Sequence, residues 1–206
     1  MAHAGYFPIS DVVEGLRMFG SPYQGHPERV RLPSLETTSG PLGSGLSQAA
    51  GIALALRMDK LRSITYCVMS DGEQQAGNTW EAVMFAGVNQ IGNLTAIIDS
   101  NNIQINGFLQ DVMPIEPLRD KYESFGWHVM EVDGHNIEAF VDACEEARAV
   151  YNKPSLIIAH TIPGKGIEET EFDFEWHGKP PTAEEGEEFL KELRTLGGRI
   201  HNADVN

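Results

Sequence analysis

Hydrophobic residues along this chain follow two alternating rhythms. Four short apolar runs have the length of buried strands: Ser63–Ser70 (SITYCVMS), Leu94–Ser100 (LTAIIDS), Trp127–Asp133 (WHVMEVD) and Ser155–Ile162 (SLIIAHTI). Between and around them lie segments of helical spacing. An apolar helix is expected from Leu46 to Lys60, and Asn78–Gly92 carries Trp80, Val83, Met84, Val88 and Ile91 on a helical period. Leu118–Phe125 reads as a short helix, and Asn136–Tyr151 sets Ile137, Phe140, Val141, Cys144, Ala147 and Tyr151 on one helix face. A closing helix follows Thr182, where Thr182 and Glu185 have the spacing of a capping box.

Strands alternating with helices over short connections predict an α/β fold, a parallel sheet covered by helices on both faces. At 206 residues one domain is expected. Met1–Gly20 supplies only one short helix, less cover than such a sheet needs. The expectation is therefore that the chain is truncated at its start or that another chain supplies what is missing.

Charge narrows the partners. Acidic residues outnumber basic ones 30 to 15, a formal net charge of −15, which argues against nucleic acid and anionic membranes as partners. Much of the acid sits in Glu168–Glu175 and Glu184–Glu192, which read as solvated faces. Cys67 lies in an apolar run and Cys144 on an apolar helix face, so both read as core fillers rather than as a disulfide or metal framework. There is no apolar stretch of about 18 residues and no basic-then-apolar leader, so a cytoplasmic setting without membrane contact is expected.

The chemistry lies where the strands end. Ser70-Asp71-Gly72-Glu73 follows one apolar run, and Asp99-Ser100-Asn101-Asn102 closes the next. Ligands of open α/β sheets sit outside the carboxyl ends of the strands. If these two strands are neighbours, a carboxylate and an amide oxygen converge. That is a hard-oxygen set for Mg²⁺ or Ca²⁺, to be completed by water, a backbone carbonyl and phosphate oxygens. Gly72 would let a phosphate approach the backbone closely, and a following helix N-terminus would favour its charge.

These residues also carry a family resemblance. SDGEQQAGNTWEA together with NLTAIIDSNNIQING resembles the thiamine diphosphate signature of transketolases. QGHPER and TTSGPLGSGLSQAAGIALA upstream, and GKGIEETEFDFEWHGKPP downstream, follow that family in the same order, from about Ala4 to His177. The resemblance implies the diphosphate-binding half of a transketolase whose N- and C-terminal halves are separate polypeptides. Its cofactors would be thiamine diphosphate and Mg²⁺, with Ca²⁺ or Mn²⁺ as substitutes. Its partner would be a C-terminal subunit bearing the pyrimidine-binding domain, with two copies of each chain in the assembly. The implied reaction is reversible two-carbon ketol transfer between sugar phosphates.

By the same resemblance the metal would be held by Asp71, Asn101 and the Ile103 carbonyl, with Gly72 and Glu73 beside the diphosphate. Gly40, Pro41 and Leu42 would pack against the cofactor. His26 would bind the sugar hydroxyls, His177 would touch the diphosphate and assist proton transfer, and Glu81 would stand at a dimer interface. Taken alone, His26 is a turn residue and His177 a surface ion-pair partner; only the ordered set of motifs assigns them roles. His3, His128, His135, His160 and His201 are given none.

Three features depart from the family. Ser70 and Ala76 stand where a Gly and a Glu are usual, and the segment before Ala4, with a Lys-Gly-His motif, is absent. Two alternatives follow: another thiamine diphosphate enzyme, against which QGHPER and WHGKPP argue, and a non-catalytic subunit that keeps fold and metal site. A Rossmann nucleotide binder lacks its G-x-G-x-x-G loop.

Overall fold

The computed structural model describes residues 1–204, with side chains to residue 193. Contacts divide it into two units, Met1–Leu42 and Gly43–Asn206. The first unit contains a 3-10 turn and helix α1 (Ile9–Gly15), whose residues all keep solvent exposure. It is held by local bonds: Arg17 N donates to Tyr23 O at 2.8 Å, Arg29 N donates to Thr38 Oγ1 at 3.1 Å, and the Phe7 and Tyr23 rings lie 5.2 Å apart.

The second unit is the α/β body. Its strands are β1 (Thr65–Ser70), β2 (Leu94–Ser100), β5 (His128–Asp133) and β6 (Ser155–His160), and a small hairpin is formed by β3 (Ile103–Gln104) and β4 (Gly107–Phe108). Helices α2 (Gly45–Met58), α3 (Gly77–Val88), α4 (Leu109–Val112), α5 (Leu118–Ser124), α6 (Ile137–Ala149) and α7 (Ala183–Asp204) complete it. The four long strands form one parallel sheet in the order β1-β2-β6-β5. This is the expected α/β architecture. β2 and β6 are central and almost wholly buried, as continuous apolar runs require when both faces are covered.

On the first face α2, α3 and α5 pack over Cys67, Met69, Leu94, Ala96, Ile98, Leu156 and Ile158. Tyr122 and Trp127 anchor this core, the Trp127 indole donating to Val83 O at 2.9 Å. On the second face α6 packs Phe140, Ala143, Cys144 and Ala147 against Ile97, Met130 and Ile157. Register places Val68 beside Ile97 on this face, yet Val68 is 72% and Tyr66 45% exposed. Within the α/β body this face of β1 is therefore only partly covered.

Several helix-face assignments shift. α3 turns the small residues Ala82, Ala86 and Gly87 inward with Val83, while Met84 and Val88 point out. Small side chains let the helix lie close to its neighbours, and this outweighs side-chain size in choosing the buried face. On α6, Ile137 and Val141 are exposed, and Tyr151 lies past the helix end. Cys67 is buried as expected, whereas Cys144 is half-buried at the rim of the α6 contact. The capping box forms: Thr182 N donates to Glu185 Oε2 at 2.7 Å and Glu185 N to Thr182 Oγ1 at 3.2 Å.

Candidate functional site

The condition set by the sequence is met, since β1 and β2 are parallel neighbours with Ser70 paired to Asp99. The chain leaves both strands on the same edge of the sheet, and Asp71 N donates to Asp99 O at 3.2 Å. Asp71 is 1% exposed. Its carboxylate accepts from Gly72 N at 2.7 Å through one oxygen and from Asn102 N at 2.6 Å through the other. Asn101 Oδ1 accepts from Ile103 N at 3.0 Å, and the Asn101 amide donates to Asp99 Oδ2 at 3.4 Å. Burial pushes the Asp71 carboxyl up, with nearby Asp99 adding to the effect, against the opposing pull of the Asn102, Gly72 and Asn101 amides. Among the described residues no Lys, Arg or His forms an ion pair with Asp71.

Glu73 is turned inward. Its carboxylate accepts from Gly43 N at 2.6 Å, and its own N–H donates to Ser70 Oγ at 3.0 Å. The Ser70 hydroxyl thus caps the Gly72–Gln75 turn that follows β1. This single 3-10 turn, rather than a helix N-terminus, stands at the point where the sequence predicts a phosphate. Beneath it lies a buried polar lattice. Tyr122 Oη donates to Gln74 Oε1 at 2.7 Å, the Gln74 amide to Ser70 O at 3.1 Å, and the Trp80 indole to Gln74 O at 2.8 Å.

His177 sits on a 3-10 turn, Phe174–His177, and is exposed. It lines a cavity of about 380 Å³ together with Asn101, Ile103, Asp173 and Trp176. The metal-candidate strand end and the downstream histidine therefore share one cavity. Two further candidates meet within the first unit: Gly40 has φ +120°, and a Cβ there would come within 3.0 Å of the His26 side chain. Pro41 and Leu42 follow in that unit, both exposed.

Comparison with known proteins adds the decisive observation. Residues 3–197 match the family model described as transketolase, thiamine diphosphate binding domain. The chain belongs to the transketolase family. It is 40% identical to a 6-deoxy-6-sulfo-D-fructose transketolase subunit of Clostridium sp. (strain MSTE9), covering 96% of this chain and 71% of that one. It is also 40% identical to an apulose-4-phosphate transketolase subunit of Phocaeicola vulgatus, covering 91% and 66%. Among solved structures, transketolase from Campylobacter jejuni superposes with a TM-score of 0.83 at 33% identity, covering 91% of this chain and 30% of that one. Transketolase from Pichia stipitis in complex with sedoheptulose 7-phosphate gives 0.83 at 34%, covering 91% and 29%. The chain thus spans about two thirds of these two subunits and under a third of these two solved transketolases.

The residues of this transketolase-family domain fit a metal-bound diphosphate. A buried carboxylate lacking a side-chain cation, with a second carboxylate beside it, is a site short of positive charge. Among the described residues no three His, Cys, Asp or Glu side chains gather to hold a metal. A cation here would take one carboxylate, amide and carbonyl oxygens, and the ligand's own oxygens, which is a Mg²⁺-like set.

Sequence reasoning missed the β3–β4 hairpin that follows Asn101, because two-residue strands carry no periodic signal. It also missed Asp99, whose place in DSNN was visible but whose second-face orientation depends on register. Of the histidines given no role, His128 pairs with Glu146 at 2.8 Å and His160 with Glu131 at 2.9 Å. His135 accepts a hydrogen bond from Ile162 N at 2.7 Å. The side chain of His201 lies outside those described.

Proposed function

We propose that this chain is the diphosphate-binding half of a two-subunit transketolase in the cytoplasm, transferring a two-carbon ketol unit between a ketose phosphate and an aldose phosphate. Residues 1–206 act as one such domain, assembled with a pyrimidine-binding C-terminal subunit in two copies of each chain. The observation that carries this reading is the parallel β1–β2 register, which brings Asp71 and Asn101 to adjacent strand ends. Relatives named as transketolase subunits support it.

Asp71, Asn101 and the Ile103 carbonyl would hold Mg²⁺, and Gly72 would lie against the diphosphate. Thiamine diphosphate, when bound, supplies the electron sink that two-carbon transfer requires. The chain's own residues orient and exclude. The cavity shared by Asn101 and His177 has apolar walls, Ile103, Ile167 and Trp176, that would keep water from the diphosphate end. An imidazole can both donate and accept a proton, which would suit His177 to proton transfer at the substrate oxygen. His26, beside Gly40, would bind sugar hydroxyls. The exposed apolar side chains Met84, Phe85 and Val88 share α3 with Glu81, which suits this helix to the subunit interface.

The test is reconstitution. On this reading the partner subunit supplies the pyrimidine-binding domain, so this chain alone should be silent, and mixing it with its cognate C-terminal subunit should give turnover of sugar phosphates. Turnover by this polypeptide alone would refute the half-enzyme reading. An inactive but stable, cofactor-loaded complex would instead establish the non-catalytic alternative.

A further inference from the structure

Between Asp71 and the exit of β6 stands Asp99, a half-buried carboxylate on the face of the sheet opposite the main core. It makes three connections. Its backbone carbonyl accepts from Asp71 N at 3.2 Å. One carboxylate oxygen accepts from the Thr161 hydroxyl, and the other accepts from the Asn101 side-chain amide at 3.4 Å. Thr161 is itself fixed to the same strand end, its N–H donating to Ser100 O at 3.1 Å. The next residue, Ile162, donates to His135 Nε2. Beyond lie Pro163 and Gly164, which line the cavity shared with His177.

An asparagine amide has two ends of nearly equal shape, and its neighbours decide which end faces a ligand. A carboxylate only accepts, so Asp99 draws the Asn101 NH₂ group to its own side. The Oδ1 end is left on the other side, where it now meets Ile103 N at 3.0 Å. The Thr161 hydroxyl prevents the carboxylate from swinging away. We infer that Asp99, clamped by Thr161, is the positioning residue that aims the Asn101 amide oxygen at the metal and ties the β6 exit to the same point. The inference rests on the diphosphate–metal reading of the site. Partners that orient a metal ligand typically contribute about ten- to a hundredfold to metal affinity.

Loss of aim has a signature that loss of charge or of stability lacks. Mg²⁺ demands near-ideal octahedral geometry, whereas Ca²⁺ tolerates irregular shells. The experiment uses the assembled two-subunit enzyme, with thiamine diphosphate titrated calorimetrically in saturating Mg²⁺ or in saturating Ca²⁺. Asp99→Ala should weaken Mg²⁺-supported binding by roughly ten- to a hundredfold and Ca²⁺-supported binding much less. Thr161→Val should shift the Mg²⁺/Ca²⁺ ratio in the same direction, and Thr161→Ser, which keeps the hydroxyl, should restore it. Equal losses with both ions, or no loss in Asp99→Ala while Asp71→Ala abolishes binding, would overturn the inference. If Asp71→Ala itself leaves binding intact, the diphosphate–metal reading falls, and the inference with it. Should Asp99→Ala fail to assemble, the Thr161 pair decides alone: an unchanged ratio in Thr161→Val refutes the clamp.

Discussion

Gly72→Ala separates fold from function at a single methyl group. A Cβ built on Gly72 would meet Gln104 Oε1 at 3.4 Å and Leu109 Cδ1 at 3.9 Å, ordinary contacts with the hairpin that follows Asn101. The residue does not occupy the left-handed region, so alanine brings no backbone strain. In the free chain the substitution should be neutral or slightly stabilising, because alanine has less conformational freedom to lose; the expected gain is about 0.4–1 kcal/mol. For a domain of this size, that moves Tm by only about 1–4 °C. In the loaded enzyme the same methyl points toward the hairpin beside the metal candidates, where the diphosphate would come closest. Crowding a close contact costs about 1–3 kcal/mol, roughly a five- to hundredfold loss of thiamine diphosphate affinity. Differential scanning fluorimetry without cofactor and calorimetric titration of the assembled enzyme measure the two effects. Unchanged affinity would mean that Gly72 does not adjoin the diphosphate. A collapse of the free chain would mean that the contacts are tighter than the structure shows. Gly43→Ala provides the contrast: φ is +84° and the new Cβ would sit 2.6 Å from Ala76 Cβ. It should destabilise by about 1–3 kcal/mol through strain alone.

Asp71→Ala should abolish Mg²⁺-dependent thiamine diphosphate binding in the assembled enzyme, and side-by-side calorimetry with wild type reads this directly. His177→Ala should impair both cofactor affinity and turnover, whereas His26→Ala should raise KM for the donor sugar at saturating cofactor; equal effects on both measures would sink that division of labour. At the surface, the hydrogen bond from His160, then that from Arg119, holds the Glu131 carboxyl below its ordinary range. A depressed carboxylate stabilises above its unfolded pKa and loses that contribution as pH falls through the folded one. Glu131→Gln should therefore lower stability at neutral pH by less than about 1 kcal/mol, given its exposure. The difference from wild type should vanish in acid, as thermal melts across pH would show.

The sequence made the sheet legible because β2 and β6 are central parallel strands, buried on both faces, and continuous apolar runs of that length have few other uses. Their ends were legible for the same reason: polar residues directly after such runs must lie at the carboxyl edge. Helix faces were harder to read. On α3 the core side is chosen by Ala82, Ala86 and Gly87, whose smallness permits close approach, so a search for large apolar residues selected Met84 and Val88 on the wrong side. What a periodicity cannot show is which strand lies beside which. The β1-β2-β6-β5 order places Thr161, sixty-two residues away in sequence, against Asp99.

That non-local pairing separates the part of the site a motif can carry from the part only the fold can build. Asp71, Gly72 and Asn101 are set by short loops continuous with two neighbouring strands, so local sequence is enough to mark them. The orientation of the Asn101 amide depends on Asp99, and Asp99 on a hydroxyl delivered by β6 after a crossover through α6. Glu73 shows the same dependence in the other direction. Its position beside Gly72 suggests a ligand contact, and one of its carboxylate oxygens accepts from Gly43 N, thirty residues earlier. The bond ties the approach to α2 to the turn after β1. Ala76 lies against the same Gly43, its Cβ 2.6 Å from where a Gly43 Cβ would be. A longer side chain at position 76 would have to point away from Gly43, whereas Glu73 reaches it from within the turn. Around Gly43 the buried carboxylate thus comes from position 73, and a glutamate at position 76 would carry its acid away from this contact.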